Sequence, residues 1–228
     1  MIHFVEDTVF NTNAEWIVNT VNCVGVMGKG LALEFALRYP KLKDIYTDQC
    51  RKKQIRVGYI YSYKIDNTLI INFPTKYDYK YPSRYEWIEK GLINFVNQYK
   101  NLGIKSIAFP YLGCSNGELD SNQVLKIMEK YLSLDDVEVY ICSSRKLDGK
   151  EKEMLDNLKA QSIENLIKIG KLNVTQREIF EEKYHSLTRF YQILDIPKIG
   201  LKTYERFFNY FYNNNQEEKV EQEQLTLF

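Results

Sequence analysis

Three short stretches hold the residue types that could do chemistry. The first reads Asn22-Cys23-Val24-Gly25-Val26-Met27-Gly28-Lys29-Gly30. An apolar run precedes it and a helical pattern follows, so it is a strand-to-helix turn rich in glycine. Glycine lets backbone amides come close to an anion, and the N-terminus of the next helix adds partial positive charge, which is phosphate-binding geometry. The spacing is neither GxGxxG nor GxxxxGK[ST], which argues against a nucleoside-triphosphate loop. A tight turn that binds nothing is the competing reading. The second stretch, Pro110-Tyr111-Leu112-Gly113-Cys114-Ser115-Asn116-Gly117-Glu118-Leu119-Asp120, also follows an apolar run and precedes a helix. Two such loops at strand C-termini point to a diphosphate held between them. The third runs from Asn72 through Lys76 to Arg84 and sets Lys76, Lys80 and Arg84 among Tyr77, Tyr79, Tyr81 and Tyr85. It reads either as a solvated loop with aromatic anchors or as a surface for single-stranded nucleic acid, where aromatic faces stack bases and cations meet phosphates.

The elements that must position these stretches alternate short apolar runs with amphipathic ones, the pattern of an α/β domain whose sheet is covered by helices. Residues 16–21, 58–63, 68–73, 105–109 and 137–142 are expected to be strands, from their β-branched and aromatic content. Residues 30–38, 83–102 and 121–132 are expected to be helices, with Ser83 and Glu86 forming a capping box at the start of the second. Beyond residue 144 the strand signals stop. Residues 146–170, 175–194 and 201–212 read as helices of a small appendage over 145–212, whose aromatics Phe180, Tyr184, Phe190, Tyr191, Tyr204, Phe207, Phe208 and Phe211 need burial. The polar, low-complexity run over 213–228 is expected to be disordered.

Length and composition bound the answer. The chain has 228 residues, 44% apolar and 27% charged, enough for one domain plus a remainder. It carries no run of about 18 apolar residues and no basic-then-apolar leader, so a cytoplasmic protein with no membrane contact is expected. With 31 basic against 30 acidic residues the formal charge is +1, and any contact with nucleic acid must come from a local patch. Only His3 and His185 are present, which argues against a Ser-His-Asp triad or a His-rich metal site. Cys23, Cys50, Cys114 and Cys142 lack CxxC spacing and are expected to be reduced and mostly buried. Neither a metal nor a cofactor is expected.

Taken together and in this order, the three stretches resemble a macrodomain of the DarG branch. These are DNA ADP-ribosyl glycohydrolases that act as antitoxins to DarT, a DNA ADP-ribosyltransferase toxin. The resemblance spans 1–144 and implies a mixed sheet between helices, with ADP-ribose in a cleft at the strand ends. It implies that Asn22 sits beside the distal ribose and that Gly25, Val26, Met27, Gly28 and Gly30 surround the diphosphate. Gly113, Cys114, Ser115, Asn116 and Gly117 would close the other side, and Lys76 matches the lysine on which the branch's hydrolysis depends. The branch favours glycine where this chain has Ser115 and Glu118, an aromatic at Ser121, and tryptophan at Tyr79.

Splitting a ribose–base bond passes through an oxocarbenium-like state, which glycosidases usually handle with two carboxylates. No obvious pair is available here. Lys76 would act instead, as a nucleophile or by stabilising charge on the leaving base. Asp120 is a candidate for proton transfer or support, and equally a helix N-cap. The nucleic-acid contacts would be Tyr77, Tyr79, Lys80 and Arg84. The final Gln224-Leu225-Thr226-Leu227-Phe228 resembles the short peptide by which bacterial replication and repair proteins dock on the sliding clamp, through Gln224, Leu225, Leu227 and Phe228. The expected function is removal of ADP-ribose from a base of single-stranded DNA, with thymidine first, opposing a DarT-like toxin. The alternatives are a module that only binds ADP-ribose or inhibits the toxin by contact, and a hydrolase of ADP-ribosylated protein or small ADP-ribose derivatives.

Overall fold

The computed structural model describes residues 1–144 and 146–225, with side chains through Asn213. The chain divides into two compact units, Met1–Lys146 and Leu147–Phe228. The first holds β1 (Ile2–Val5), β2 (Trp16–Val21), α1 (Gly30–Arg38), α2 (Pro40–Arg51), β3 (Tyr61–Ile65), β4 (Thr68–Pro74), α3 (Tyr85–Gln98), β5 (Ser106–Pro110), α4 (Ser121–Leu132) and β6 (Glu138–Cys142). The strands form one sheet in the order β1-β6-β5-β2-β4-β3, parallel throughout except for the antiparallel β3 at one edge. This is the mixed sheet expected.

Strands buried on both faces are near-continuous apolar runs, and β2 and β4 show why. Val18, Ile71 and Phe73 point into a core with Ile88, Leu92 and Phe95 of α3 and Val124 and Met128 of α4. Their neighbours Ile17, Val21 and Ile70 point the other way, toward Phe35 of α1 and Leu42 and Tyr46 of α2. Because β5, β2 and β4 are adjacent and parallel, their C-terminal ends open on one edge of the sheet. All three chemistry-bearing stretches begin there.

Several elements differ from the sequence reading. β1 is a four-residue edge strand, too short to stand out by alternation. α2 was not expected, since its buried stripe is only Leu42, Tyr46 and Cys50, entered through Pro40 at the first turn. β3 lies a few residues later than 58–63. The Ser83–Glu86 capping box does not form: α3 starts at Tyr85, with Arg84 as an N-cap that makes no side-chain bond.

The second unit is helical, as expected, but more finely divided. The run over 146–170 is two helices, α5 (Gly149–Ala160) and α6 (Ile163–Gly170), parted where Ser162 caps Asn165 N–H. The run over 175–194 is α7 (Val174–Lys183) followed by two 3₁₀ turns, Tyr184–Ser186 and Phe190–Asp195. α8 (Leu201–Leu225) continues through 213–225, where disorder was expected. Its Glu, Gln and Lys content is compatible with a helix once the preceding turns nucleate it. Phe180, Phe190, Phe207, Phe208 and Phe211 are buried together, whereas Tyr191 is exposed. Of the proposed clamp-docking residues, Leu227 and Phe228 lie outside the described residues, as do the side chains of Gln224 and Leu225. Among the described residues, no helix is long and apolar enough to cross a membrane.

Candidate functional site

The loop after β2 is built around one side chain. Asn22 is buried, and its amide Nδ2 donates to the Val26 carbonyl at 2.6 Å while its Oδ1 accepts from the N–H groups of Val24 and Val26 at 3.0 and 3.3 Å. The Tyr46 hydroxyl, on α2, donates to the Asn22 carbonyl at 2.7 Å and lies 3.2 Å from its Oδ1. Burial pushes the Tyr46 hydroxyl far above the usual phenol range, so it stays a neutral donor. Asn22 therefore shapes the glycine loop from within, and the carboxamide groups expected to meet a ribose are engaged with the protein itself. Tyr46 escaped the sequence reading because α2 did.

The loop after β4 is stitched to the first. Thr75 N–H donates to the Val21 carbonyl at 2.9 Å and Cys23 N–H to the Tyr77 carbonyl at 2.9 Å, which extends the β2–β4 ladder past the strand ends. The Cys23 thiol reaches the Lys76 carbonyl at 3.4 Å, and burial pushes that thiol up to about 12, which leaves it an unreactive small hydrophobe. Lys76 thus stands on rigid main chain. Its ammonium donates to the Asn116 carbonyl in the loop after β5. Burial lowers the Lys76 pKa from the ordinary lysine value, and the carboxylate of Glu118 opposes that shift.

The third loop closes the arrangement. Ser83 N–H donates to the Gly117 carbonyl at 2.9 Å and Leu119 N–H to the Gly113 carbonyl at 3.1 Å. A β-carbon on Gly117 would stand 2.2 Å from the Gly113 oxygen, so no larger residue fits that turn. A β-carbon on Gly30, the first residue of α1, would stand 2.7 Å from Asn116 Nδ2, which puts the two glycine loops against each other. The three stretches expected to cooperate are therefore contiguous, with the uncapped N-terminus of α1 and the Lys76 ammonium both beside Asn116. The uncapped start of α1 and the Lys76 ammonium together can hold an anionic ligand.

Val26 is exposed and Gly25 and Gly28 half-exposed, but the Met27 side chain is buried in the core beside α1, so only its backbone is available to a ligand. Ser115 and Asn116 are exposed and Cys114 is half-buried. Asp120 is the N-cap of α4: its Oδ1 accepts from Gln123 N–H at 2.9 Å, and its own N–H donates to the Tyr85 hydroxyl at 3.1 Å. The side chain thus fills the N-cap, and the bond from the backbone N–H engages the Tyr85 hydroxyl. Tyr77, Tyr79 and Tyr81 are 64%, 50% and 65% exposed, with Lys80 Nζ 5.7 Å from the Tyr79 ring and the Arg84 guanidinium 4.9 Å from the Trp87 ring. Among the described residues, no group of three or more His, Cys, Asp or Glu side chains could hold a metal ion. His3 pairs with Glu138 and stacks on Tyr140 in β6, and His185 packs on Tyr184 in the other unit.

Glu118 is a residue that spacing alone does not flag. It holds φ at +64°, a left-handed conformation that costs a residue with a β-carbon about 1 kcal/mol relative to glycine. Glu118→Gly is expected to raise the unfolding midpoint measured by thermal denaturation. It also removes the carboxylate that holds the Lys76 pKa up, so any limb of a pH–rate profile that reports Lys76 is expected to move to lower pH. A limb along which activity falls as pH rises marks the ammonium as the active form, and a rising one marks the free amine.

A family profile described as Macro domain matches residues 18–128. A protein of Thermus aquaticus named DNA ADP-ribosyl glycohydrolase is 38% identical over 168 residues, which are 72% of this chain and 44% of that protein. The chain thus spans less than half the length of that relative. Among solved structures, the macrodomain of Mycobacterium tuberculosis DarG is 37% identical with a TM-score of 0.60, over 62% of this chain and 97% of that one. Thermosipho africanus DarTG in complex with ADP-ribose is 34% identical with a TM-score of 0.59, over 64% of this chain and 43% of that one. With nearly the whole of a DarG macrodomain matched in both sequence and fold, this chain belongs to the macrodomain family.

Proposed function

We propose that this protein removes ADP-ribose from a base of single-stranded DNA by hydrolysis. The observation that carries the reading is the meeting of Lys76 with both glycine loops at one edge of the sheet. The relatives named DNA ADP-ribosyl glycohydrolase and the DarTG structure that holds ADP-ribose support the same substrate. In this reading the diphosphate lies against the backbone of Gly25, Val26, Met27, Gly28 and Gly30 and the N-terminus of α1. Gly113, Cys114, Ser115, Asn116 and Gly117 cover it from the other side. Asn22 sets the shape of the first loop.

The reaction breaks the bond between the ribose C1 and the base. Water supplies the hydroxyl that ends on the ribose and the proton that ends on the base. Lys76 is the proposed catalytic residue, acting on the oxocarbenium-like carbon as an amine or on the departing base as an ammonium. Asp120 contributes by holding the start of α4 and, through it, the end of the third loop. Tyr77, Tyr79, Lys80 and Arg84 form the rim on which the strand stacks and pairs its phosphates, which a net charge of +1 does not preclude. A DarT-like toxin is the proposed source of the modified DNA. The Gln224, Leu225, Leu227 and Phe228 pattern is proposed to dock on a sliding clamp. A pull-down with purified clamp that recovers full-length and 224–228-deleted protein equally would remove that element.

Calorimetric titration with ADP-ribose tests the binding half of the proposal. A micromolar dissociation constant is expected, which corresponds to about 8 kcal/mol and is within reach of a diphosphate cradle plus a buried adenine. No heat at millimolar ligand would overturn the reading.

A further inference from the structure

The Ser83 hydroxyl has no assigned part in the site, and it is in an unusual position. Ser83 is 5% exposed, and its Oγ is buried without a hydrogen-bond partner. It lies in the slot between the two glycines of the third loop: a β-carbon on Gly117 would stand 2.5 Å from it and one on Gly113 3.0 Å. A buried hydroxyl left unpaired carries a desolvation cost, which makes a second conformation that satisfies it accessible.

The neighbouring peptide supplies that conformation. The carbonyl between Asn116 and Gly117 faces the Lys76 ammonium. In a planar trans peptide the N–H points opposite to the C=O, so Gly117 N–H faces away from Lys76. The loop therefore presents an acceptor toward Lys76, the proposed catalytic residue, and in the ADP-ribose reading a diphosphate beside this loop calls for a donor instead. Glycine at 117 tolerates the dihedral change that turning the peptide requires.

We propose that Ser83 is a positioning residue whose hydroxyl receives the Asn116 carbonyl when the Asn116–Gly117 peptide turns over. Gly117 N–H then faces the diphosphate and the Lys76 ammonium is released. The turned peptide exchanges the carbonyl's bond to Lys76 for one to Ser83 Oγ. The ligand, bound by the new donor, biases the equilibrium between the two states. This inference rests on the ADP-ribose reading above.

The test compares wild type with Ser83→Ala in three measurements: unfolding midpoint, ADP-ribose titration by calorimetry, and the ¹⁵N-glycine spectrum with and without ADP-ribose. Ser83→Ala removes an unpaired polar atom, so its midpoint is expected to equal or exceed that of wild type. Its affinity is expected to fall about fivefold, the value of one neutral hydrogen bond in the bound state. The large shift of the Gly117 amide that ADP-ribose produces in wild type is expected to shrink. A variant that is destabilised and weakened in proportion would make Ser83 a purely structural residue and overturn the proposal. So would one that binds as wild type does, with the same Gly117 shift. A wild type silent to ADP-ribose would instead overturn the functional reading, and this proposal with it.

Discussion

Lys76→Ala is expected to lose between about a hundredfold and ten-thousandfold of the hydrolytic rate, the range by which a positioned acid, base or nucleophile contributes. Its ADP-ribose dissociation constant is expected to stay within about threefold of wild type. The two expectations belong together, because a group used only in the transition state lowers turnover without weakening ground-state binding. The structure adds a reason for small structural damage. Lys76 is only partly buried, its main chain is fixed by the Thr75–Val21 and Cys23–Tyr77 bonds, and its side chain makes its bond to a loop carbonyl. Single-turnover kinetics with excess enzyme, alongside calorimetry, read both quantities. Full activity in the variant would move the chemistry to another residue, with Asp120 next to examine.

Asn22→Ala is expected to do the opposite, harming stability and binding together. The substitution removes one donor and one acceptor that between them serve the Val26 carbonyl, two loop N–H groups and the Tyr46 hydroxyl. Leaving buried polar groups without partners costs about 1–3 kcal/mol each, and partial access to water here places the total at about 2–4 kcal/mol. Chemical denaturation should show that loss. The loop that would hold the diphosphate loses its shape, so ADP-ribose affinity should fall by at least about tenfold. A variant of unchanged stability with weakened binding would instead mean that Asn22 acts directly on the ligand, as the family resemblance implied.

The sheet and the helices that flank it were legible because parallel strands buried on both faces must be apolar runs; β2 and α1 stand where spacing places them. The meeting of the three loops was legible too, since each follows an apolar run and strands of one parallel sheet end at one edge. What sequence could not give were long-range partners. The Tyr46 hydroxyl reaches Asn22 across 24 positions, and no local pattern announces such a contact. The unpaired state of Ser83 depends on how Gly113 and Gly117 fold over it. Asp120 illustrates the opposite case, because an acidic residue before a helix has a cap to fill, and the structure gives it that bond.

The most direct test of the central claim is mass spectrometry of a single-stranded oligonucleotide carrying ADP-ribose on a thymine base, after incubation with catalytic amounts of the protein. Many turnovers are expected: the oligonucleotide returns to its unmodified mass and free ADP-ribose accumulates, and with Lys76→Ala neither happens. An oligonucleotide that keeps its ADP-ribose while remaining bound to the wild-type protein would contradict it, and would make this macrodomain a binder rather than a hydrolase.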